Sequence, residues 1–303
     1  MRLIQAKNAA GTIVPGVIEG DEVLLVERSA PGDELSADAV HDTLGLLTAV
    51  DRADTTLAGW LADAKRAGRI AHVAWADLAA GSAKGWKLTM PLTPPEVWGA
   101  GVTYRRSADF REEGLGIYDG VYEAPRPELF YKASAARSAG PGEPIGRRRD
   151  SGFTAAEPEV AVVVTSTGSI LGYTIANDVS AWDIERENPL YLPQSKIYNA
   201  CFSFGPSIVT ADEIKDPYAL ELTCTVMRGT TEVFRGSAST SQLKRKLPEI
   251  VKWLLESNHV PTGTILSTGT GIIQPLGTGL EAGDIVTITC PELGELINPV
   301  ALV

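Results

Sequence analysis

Histidine is scarce in this chain: His41, His72 and His259 are the only three in 303 residues, and no two are neighbours. Cysteine is as rare, with Cys201, Cys224 and Cys290 scattered and odd in number. No Cys or His pair has zinc spacing, which argues against a thiolate or imidazole metal site. Dispersed single thiols also exclude a disulfide framework and fit a reducing, cytoplasmic setting. Long apolar runs are missing, so nothing reads as a membrane span. The opening MRLIQAKNAAGTIVPG lacks the apolar centre of a signal peptide. Positive charge is short as well: the formal net charge is −11 and the pI about 4.9. That balance argues against a nucleic-acid or anionic-membrane partner. The small basic cluster GRRRD at 146–150 reads as a solvated turn. Any metal this chain holds is therefore expected on oxygen ligands, which suits Mg²⁺ or Mn²⁺.

What the chain does have is apolar residue, 44% of the total. At this length roughly 75% of the unfolded surface can be buried, enough for a large core. Residues 1–90 read as a small α+β domain. RLIQAK, TIVPGVIEG and EVLLVER are short strands between turn residues. Leu57, Trp60, Leu61 and Ala64 then recur at helical spacing, with Gly68 as a stop. The Pro-rich stretch 88–101 reads as a boundary, giving domains 1–90 and 91–303. The second part is mostly strands: EVAVVVTS, ILGYTIAND, ALELTCTVMRG, TEVFRGSAS and DIVTITCP. A hairpin is expected around Gly229, and a helix over 247–257 with Pro248 in its first turn. The stretch 106–127 has no sustained period and is long for a connection, as lids are.

GFTAAEPEVAVVV, residues 152–164, sets Glu157 and Glu159 at the head of an apolar run. In a strand, residues two apart share a face. Adjacent carboxylates repel unless a cation or protons neutralise them. In GYTIANDVSAWDIERENP, Asp178 ends the next strand, and Ser180 and Asp183 read as a helix start. A hairpin through TSTGS would bring the three acids together, an arrangement that suits an octahedral divalent ion. The competing reading of the two glutamates is a solvated strand edge.

Taken in order, GVTYRRSAD, PELFYK, EPEVAVVV, GYTIANDVSAWDIE, PLYLPQSKIYNACFSFGP, STGTGI and LEAGDIVTITCPELGELINPV resemble the fumarylacetoacetate hydrolase (FAH) family from about residue 98 to 303. GVTYRRS, RPELFYK and ENPLYLPQSK are most similar to its 2-keto-3-deoxy-D-arabinonate dehydratase branch. The resemblance implies an α+β fold, with a mixed β-sandwich/β-roll catalytic domain after a small N-terminal domain. It implies Mg²⁺ on Glu157, Glu159 and Asp178, with Mn²⁺ or Ca²⁺ able to substitute. Lys196 would sit by metal and substrate, Glu128 would hold a water beside the metal, and Thr270 would touch substrate. Ser107 and Lys132 are further substrate candidates; the bland reading of each is a loop hydroxyl and a surface lysine. Asp183 reads as a cap or supporting residue.

Family members that hydrolyse C–C bonds carry Asn-Tyr-x-x-His, where this chain has Thr103-Tyr104 and then Ser107. The water-activating histidine is absent, which puts dehydration first. The expected reaction is Mg²⁺-dependent loss of water from a 2-keto-3-deoxy sugar acid through a metal-stabilised enolate, giving 2,5-dioxopentanoate from a five-carbon substrate. C–C hydrolysis of an acylpyruvate or 2,4-diketo acid is the alternative and would need a carboxylate such as Glu112 or Glu113 to activate water. A non-catalytic, metal-dependent keto-acid binder is the third reading. The resemblance also implies a homodimer or a larger homo-oligomer.

Overall fold

The structure is a computed structural model and describes residues 1–27, 40–105 and 118–303. Ser107, Glu112, Glu113 and most of the 107–125 stretch lie outside the described residues. The first part of the chain forms β1 (Arg2–Asn8), β2 (Ile13–Glu19), β3 (Glu22–Val26), α1 (Thr43–Asp51), α2 (Leu57–Arg66), β4 (Ile70–Ala74), α3 (Trp75–Ala79) and β5 (Trp86–Leu88). Each of the first two helices starts where a side chain accepts an otherwise orphaned N–H: Asp42 from Gly45 and Thr56 from Gly59. The 57, 60, 61, 64 spacing does make a helix, with Trp60, Leu61 and Ala64 buried and Gly68 at φ +65° just past its end.

The rest runs β6 (Val97–Gly101), α4 (Tyr118–Glu123), β7 (Glu128–Ala133), β8 (Ser138–Ala139), β9 (Ile145–Arg147), β10 (Thr154–Ala155), β11 (Pro158–Val164) and β12 (Ile170–Asp178). Then follow β13 (Ser180–Ala181), α5 (Trp182–Glu187), α6 (Leu192–Lys196), β14 (Phe202–Thr210), β15 (Glu221–Arg228), β16 (Thr231–Ser239), α7 (Leu247–Leu255), β17 (Thr264–Ser267), β18 (Ile285–Cys290) and β19 (Gly294–Leu302). The expected hairpin turns at Gly229, and the expected 247–257 helix is α7, two residues shorter.

One large sheet has the order β4-β3-β2-β1-β14-β12-β11-β17-β6-β7, and a smaller one the order β16-β15-β18-β19-β9. They stack as a sandwich. The even residues of β11, Val160, Val162 and Val164, pack with Leu222, Cys224, Val226 and Ile288 of the small sheet and with Ile250 and Leu254 of α7. Its odd residues Ala161 and Val163 face the opposite core, with Phe202, Phe204, Leu46, Leu47 and Trp60. Every residue of β11 is therefore buried, which is why it reads as an unbroken apolar run.

The boundary expected near residue 90 is not a break in this sheet. β1 pairs antiparallel with β14, Arg2 opposite Val209 and Leu3 opposite Ile208. Residues 1–90 keep a core of their own around Ile4, Val14, Val23, Leu25, Leu78 and Leu88. Leu3, Val17 and Leu24, however, share the second core with Ala161 and Phe202.

Candidate metal centre

The site follows from the β11–β12 hairpin. The two strands pair with Pro158 opposite Asn177 and Glu159 opposite Ala176, joined through Thr165–Ser169 with Gly168 at φ +89°. Glu159 has the parity of Ala161, and Glu157 stands two residues before it, so both carboxylates lie on the face opposite the small sheet. The backbone N–H of Asp178 donates to Glu157 O, which sets Asp178 beside them. One carboxylate oxygen from each of Glu157, Glu159 and Asp178 can be chosen so that all lie within 4.8 Å of one another. Their exposures are 2%, 3% and 1%, so the solvated-edge reading fails.

Donors around the acids fix their orientation, as outer partners do for metal ligands. Glu157 Oε1 accepts from Trp182 Nε1 at 2.5 Å and from Lys196 Nζ at 2.9 Å. Glu159 Oε2 accepts from Ser267 Oγ and from the Gly269 N–H, both at 2.6 Å. Asp178 Oδ1 meets Lys132 Nζ at 2.6 Å, and Oδ2 meets Lys196 Nζ at 3.3 Å. Three buried carboxyl groups thus face two ammonium groups, one acid more than the lysines can balance once all three are ionised. Glu159 forms no ion pair with either lysine. Burial, then the charges of Asp178 and Glu157, push its carboxyl up to about 8 against the pull of its two hydrogen bonds. A set of hard oxygen donors with one acid in excess of its lysines fits a divalent cation such as Mg²⁺.

This has a pH signature. In the metal-free protein Glu159 keeps its proton below about pH 8, so an incoming ion must displace it. Mg²⁺ affinity is expected to rise from pH 6 to about 8 and then level off. Uptake near pH 7 should release close to one proton, readable by titration calorimetry in buffers of different ionisation enthalpy. The stability sign follows from the same shift. The folded state holds this proton more tightly than the unfolded one, where the group titrates near 4.5. Its contribution is full below pH 4.5 and is lost as pH rises through 8. EDTA should therefore lower the melting temperature more at pH 8 than at pH 5.5.

Lys196 lies where the sequence reading put it, beside the acids, bonded to Glu157, Asp178 and the Ser180 hydroxyl at 2.7 Å. Lys132 requires a correction. It is fully buried, and its ammonium bonds Asp178, Val179 O at 2.9 Å and Lys196 O at 2.6 Å, so it has no proton left for a substrate. Alternation along β7 turned it into the sheet face, not out to solvent. That same face carries Phe130, whose ring centre is 5.2 Å from Lys196 Nζ, and Glu128 two residues further. The three side chains thus form a row leading up to the acids. Thr270 Oγ1 donates to Pro158 O at 2.8 Å and accepts from Ile272 N–H, so its hydroxyl braces the turn beside Glu159. Asp183 accepts from Ser151 Oγ and the Gly152 N–H, holding the approach to β10.

The sequence reading missed Trp182, Ser267 and Gly269. The signal was present in VSAWD directly after Asp178, but nothing local says that an indole folds back onto Glu157. Trp182→Phe removes one donor and keeps the ring packed on Phe153, 5.6 Å away. Mg²⁺ affinity is expected to fall about 10- to 100-fold, the usual effect of losing an outer partner. Calorimetric titration with Mg²⁺ alone checks it, and an unchanged affinity would deny Trp182 that role.

Comparison with known proteins agrees with this geometry. The family model described as fumarylacetoacetate (FAA) hydrolase C-terminal matches residues 96–301. A 2-dehydro-3-deoxy-D-arabinonate dehydratase of Saccharolobus solfataricus is 50% identical over 221 residues, covering 71% of this chain and 74% of that protein. A probable 2-keto-3-deoxyxylonate dehydratase of Haloferax volcanii is 41% identical over 218 residues, 71% of this chain and 75% of that protein. A solved 2-keto-3-deoxy-D-arabinonate dehydratase, complexed with magnesium and 2,5-dioxopentanoate, superposes with a TM-score of 0.83 at 38% identity, covering 100% of this chain and 99% of the other.

Proposed function

The chain belongs to the fumarylacetoacetate hydrolase family, and from that premise we propose that it is a Mg²⁺-dependent dehydratase of 2-keto-3-deoxy sugar acids. The five-carbon case, 2-keto-3-deoxy-arabinonate, gives 2,5-dioxopentanoate. One observation carries the reading: the buried Glu157, Glu159 and Asp178 triad, matched with relatives that are dehydratases and with a solved one holding magnesium and that product.

A divalent ion on the triad supplies Lewis-acid stabilisation of the negative charge that develops on the 2-keto group. The chain's own residues do the rest. Glu128, at the end of the row over Phe130 and Lys132, is assigned the proton transfer at C3, directly or through water. The C3–H bond breaks, the C3–C4 double bond forms, and the C4 hydroxyl leaves with a proton as water. Tautomerisation then moves the unsaturation to give the C5 aldehyde. Lys196 and Lys132 hold Glu157 and Asp178 in place by lying against them, which fits their saturated hydrogen bonds better than contact with substrate. Thr270 is assigned a role through the turn that it braces, and Ser107 one through its motif position alone.

Incubation with 2-keto-3-deoxypentonates of both C4 configurations and Mg²⁺ tests this. A single dehydrated keto acid, with its formation stopped by EDTA, is the expected product. Pyruvate plus a second acid would instead mean C–C hydrolysis, and affinity without turnover a binder. Indifference to EDTA would refute the metal-dependent reading altogether.

No helix among the described residues is long and apolar enough to cross a membrane. We assign the chain to a homo-oligomer, which agrees with Ile285 and Ile297 standing exposed on one face of the small sheet. Sedimentation velocity reads it, and a lone monomer at micromolar concentration would contradict it.

A further inference from the structure

β6 carries glycine at two alternate positions, Gly99 and Gly101, inside a strand of the large sheet. Glycine weakens a strand interior and is kept there for a reason of backbone angle or of space. Angle is not the reason, since neither residue has a positive φ. Space is. Gly99 stands opposite Phe130 and Gly101 opposite Glu128. A Cβ on Gly101 would overlap the Glu128 carboxylate outright and stand 2.6 Å from its Cδ. A Cβ on Gly99 would meet the Phe130 ring at 2.5 Å. Both side chains of β7 lie across the bare α-carbons of its neighbour. Beyond β6 in the same sheet comes β17, where Ser267 pairs with Gly99 and donates to Glu159.

We propose that Gly101 is a positioning residue: its missing side chain is the cradle in which the Glu128 carboxylate lies, and so sets where that acid meets the substrate. The inference rests on the reading of Glu128 as the proton-transfer group. A methyl at 101 would lift the carboxylate off the strand, while the metal ligands, just before and on β11 and at the end of β12, stay in place.

The test is Gly101→Ala, Glu128→Asp and the double variant, each with 2-keto-3-deoxypentonate and Mg²⁺. Gly101→Ala should lower kcat about 100-fold, the scale of a misplacement near 1 Å, with KM and calorimetric Mg²⁺ affinity within about threefold of wild type. Glu128→Asp shortens the acid by one methylene and draws its carboxyl carbon back to the Cγ position, 3.3 Å from the new methyl instead of 2.6 Å. The double variant should therefore be no slower than Glu128→Asp alone. Full activity in Gly101→Ala, or penalties that simply multiply, would overturn the proposal. If Gly101→Ala does not fold, recovery of the fold in the double variant supports the contact, and failure of both overturns it. Crystal structures of wild type and Gly101→Ala keep this separate from the assigned reaction: an unmoved Glu128 carboxylate overturns the cradle whether or not the wild type dehydrates anything.

Discussion

Glu157→Gln is expected to abolish Mg²⁺ binding and turnover while leaving the fold intact. The Glu157 Oε1 position receives two donors, from Trp182 and Lys196. The amide oxygen of glutamine will take that position, because only an oxygen can accept there. The NH₂ group must then occupy the other site, presenting donors where an ion needs an acceptor. The substitution also removes the one negative charge by which the acids, all ionised, exceed the lysines. The loss of affinity should go beyond the 10- to 100-fold typical of an outer partner, and activity should drop to the level seen with EDTA. Thermal stability of the metal-free protein should change little, because relief of repulsion on Glu159 opposes the loss of the buried Glu157 partner of Lys196, whose hydrogen bond the amide oxygen keeps. Calorimetry with Mg²⁺ and a melt in EDTA read both halves. Retained activity would sink the metal assignment.

Lys132→Met should produce the largest loss of stability. The side chain is fully buried and ties three elements together: Asp178 at the end of β12, Val179 before β13 and the Lys196 carbonyl at the end of α6. Methionine keeps the apolar stem but leaves Asp178 without its nearest cation and two carbonyls without this donor. Removing one member of a buried pair costs about 3–5 kcal/mol, which for a chain of this size lowers the melting temperature on the order of 10 °C. Adding Asp178→Asn should return part of the stability, because the unpaired charge is then gone, but none of the Mg²⁺ binding. Melts of the single and double variants in EDTA form the cycle. Additive losses would show that the Lys132–Asp178 contact carries no coupling.

The acid triad could be read from the sequence because its geometry is local. Glu157 and Glu159 are two apart where β11 begins, and Asp178 ends the strand that a five-residue turn folds back against them. The Gly229 hairpin, α2 and α7 were legible for the same reason: each depends on neighbours within one or two turns. What was hidden depends on distance. Lys132 alternates correctly along β7, but whether that face meets solvent or Asp178 is decided by β12, more than 40 residues on. Ser267 and Gly269 reach Glu159 across 108 and 110 residues. The pairing of β1 with β14 across residue 90 was not legible, because a Pro-rich stretch signals the end of an element, not which strand the earlier elements will join.

The pairing of β1 with β14 bears on how the chain can be cut. β14 is the immediate neighbour of the strand ending in Asp178. Span 96–301, the part shared with the wider family, would on its own bare the Ile208–Thr210 end of β14, while its Phe202–Ser203 end keeps the pairing with β8. Such bared edges recruit other copies of themselves. A shortened protein made from that span should clump in solution and scatter light, and adding back a peptide of the first eight residues, able to zip into the gap, should slow the clumping.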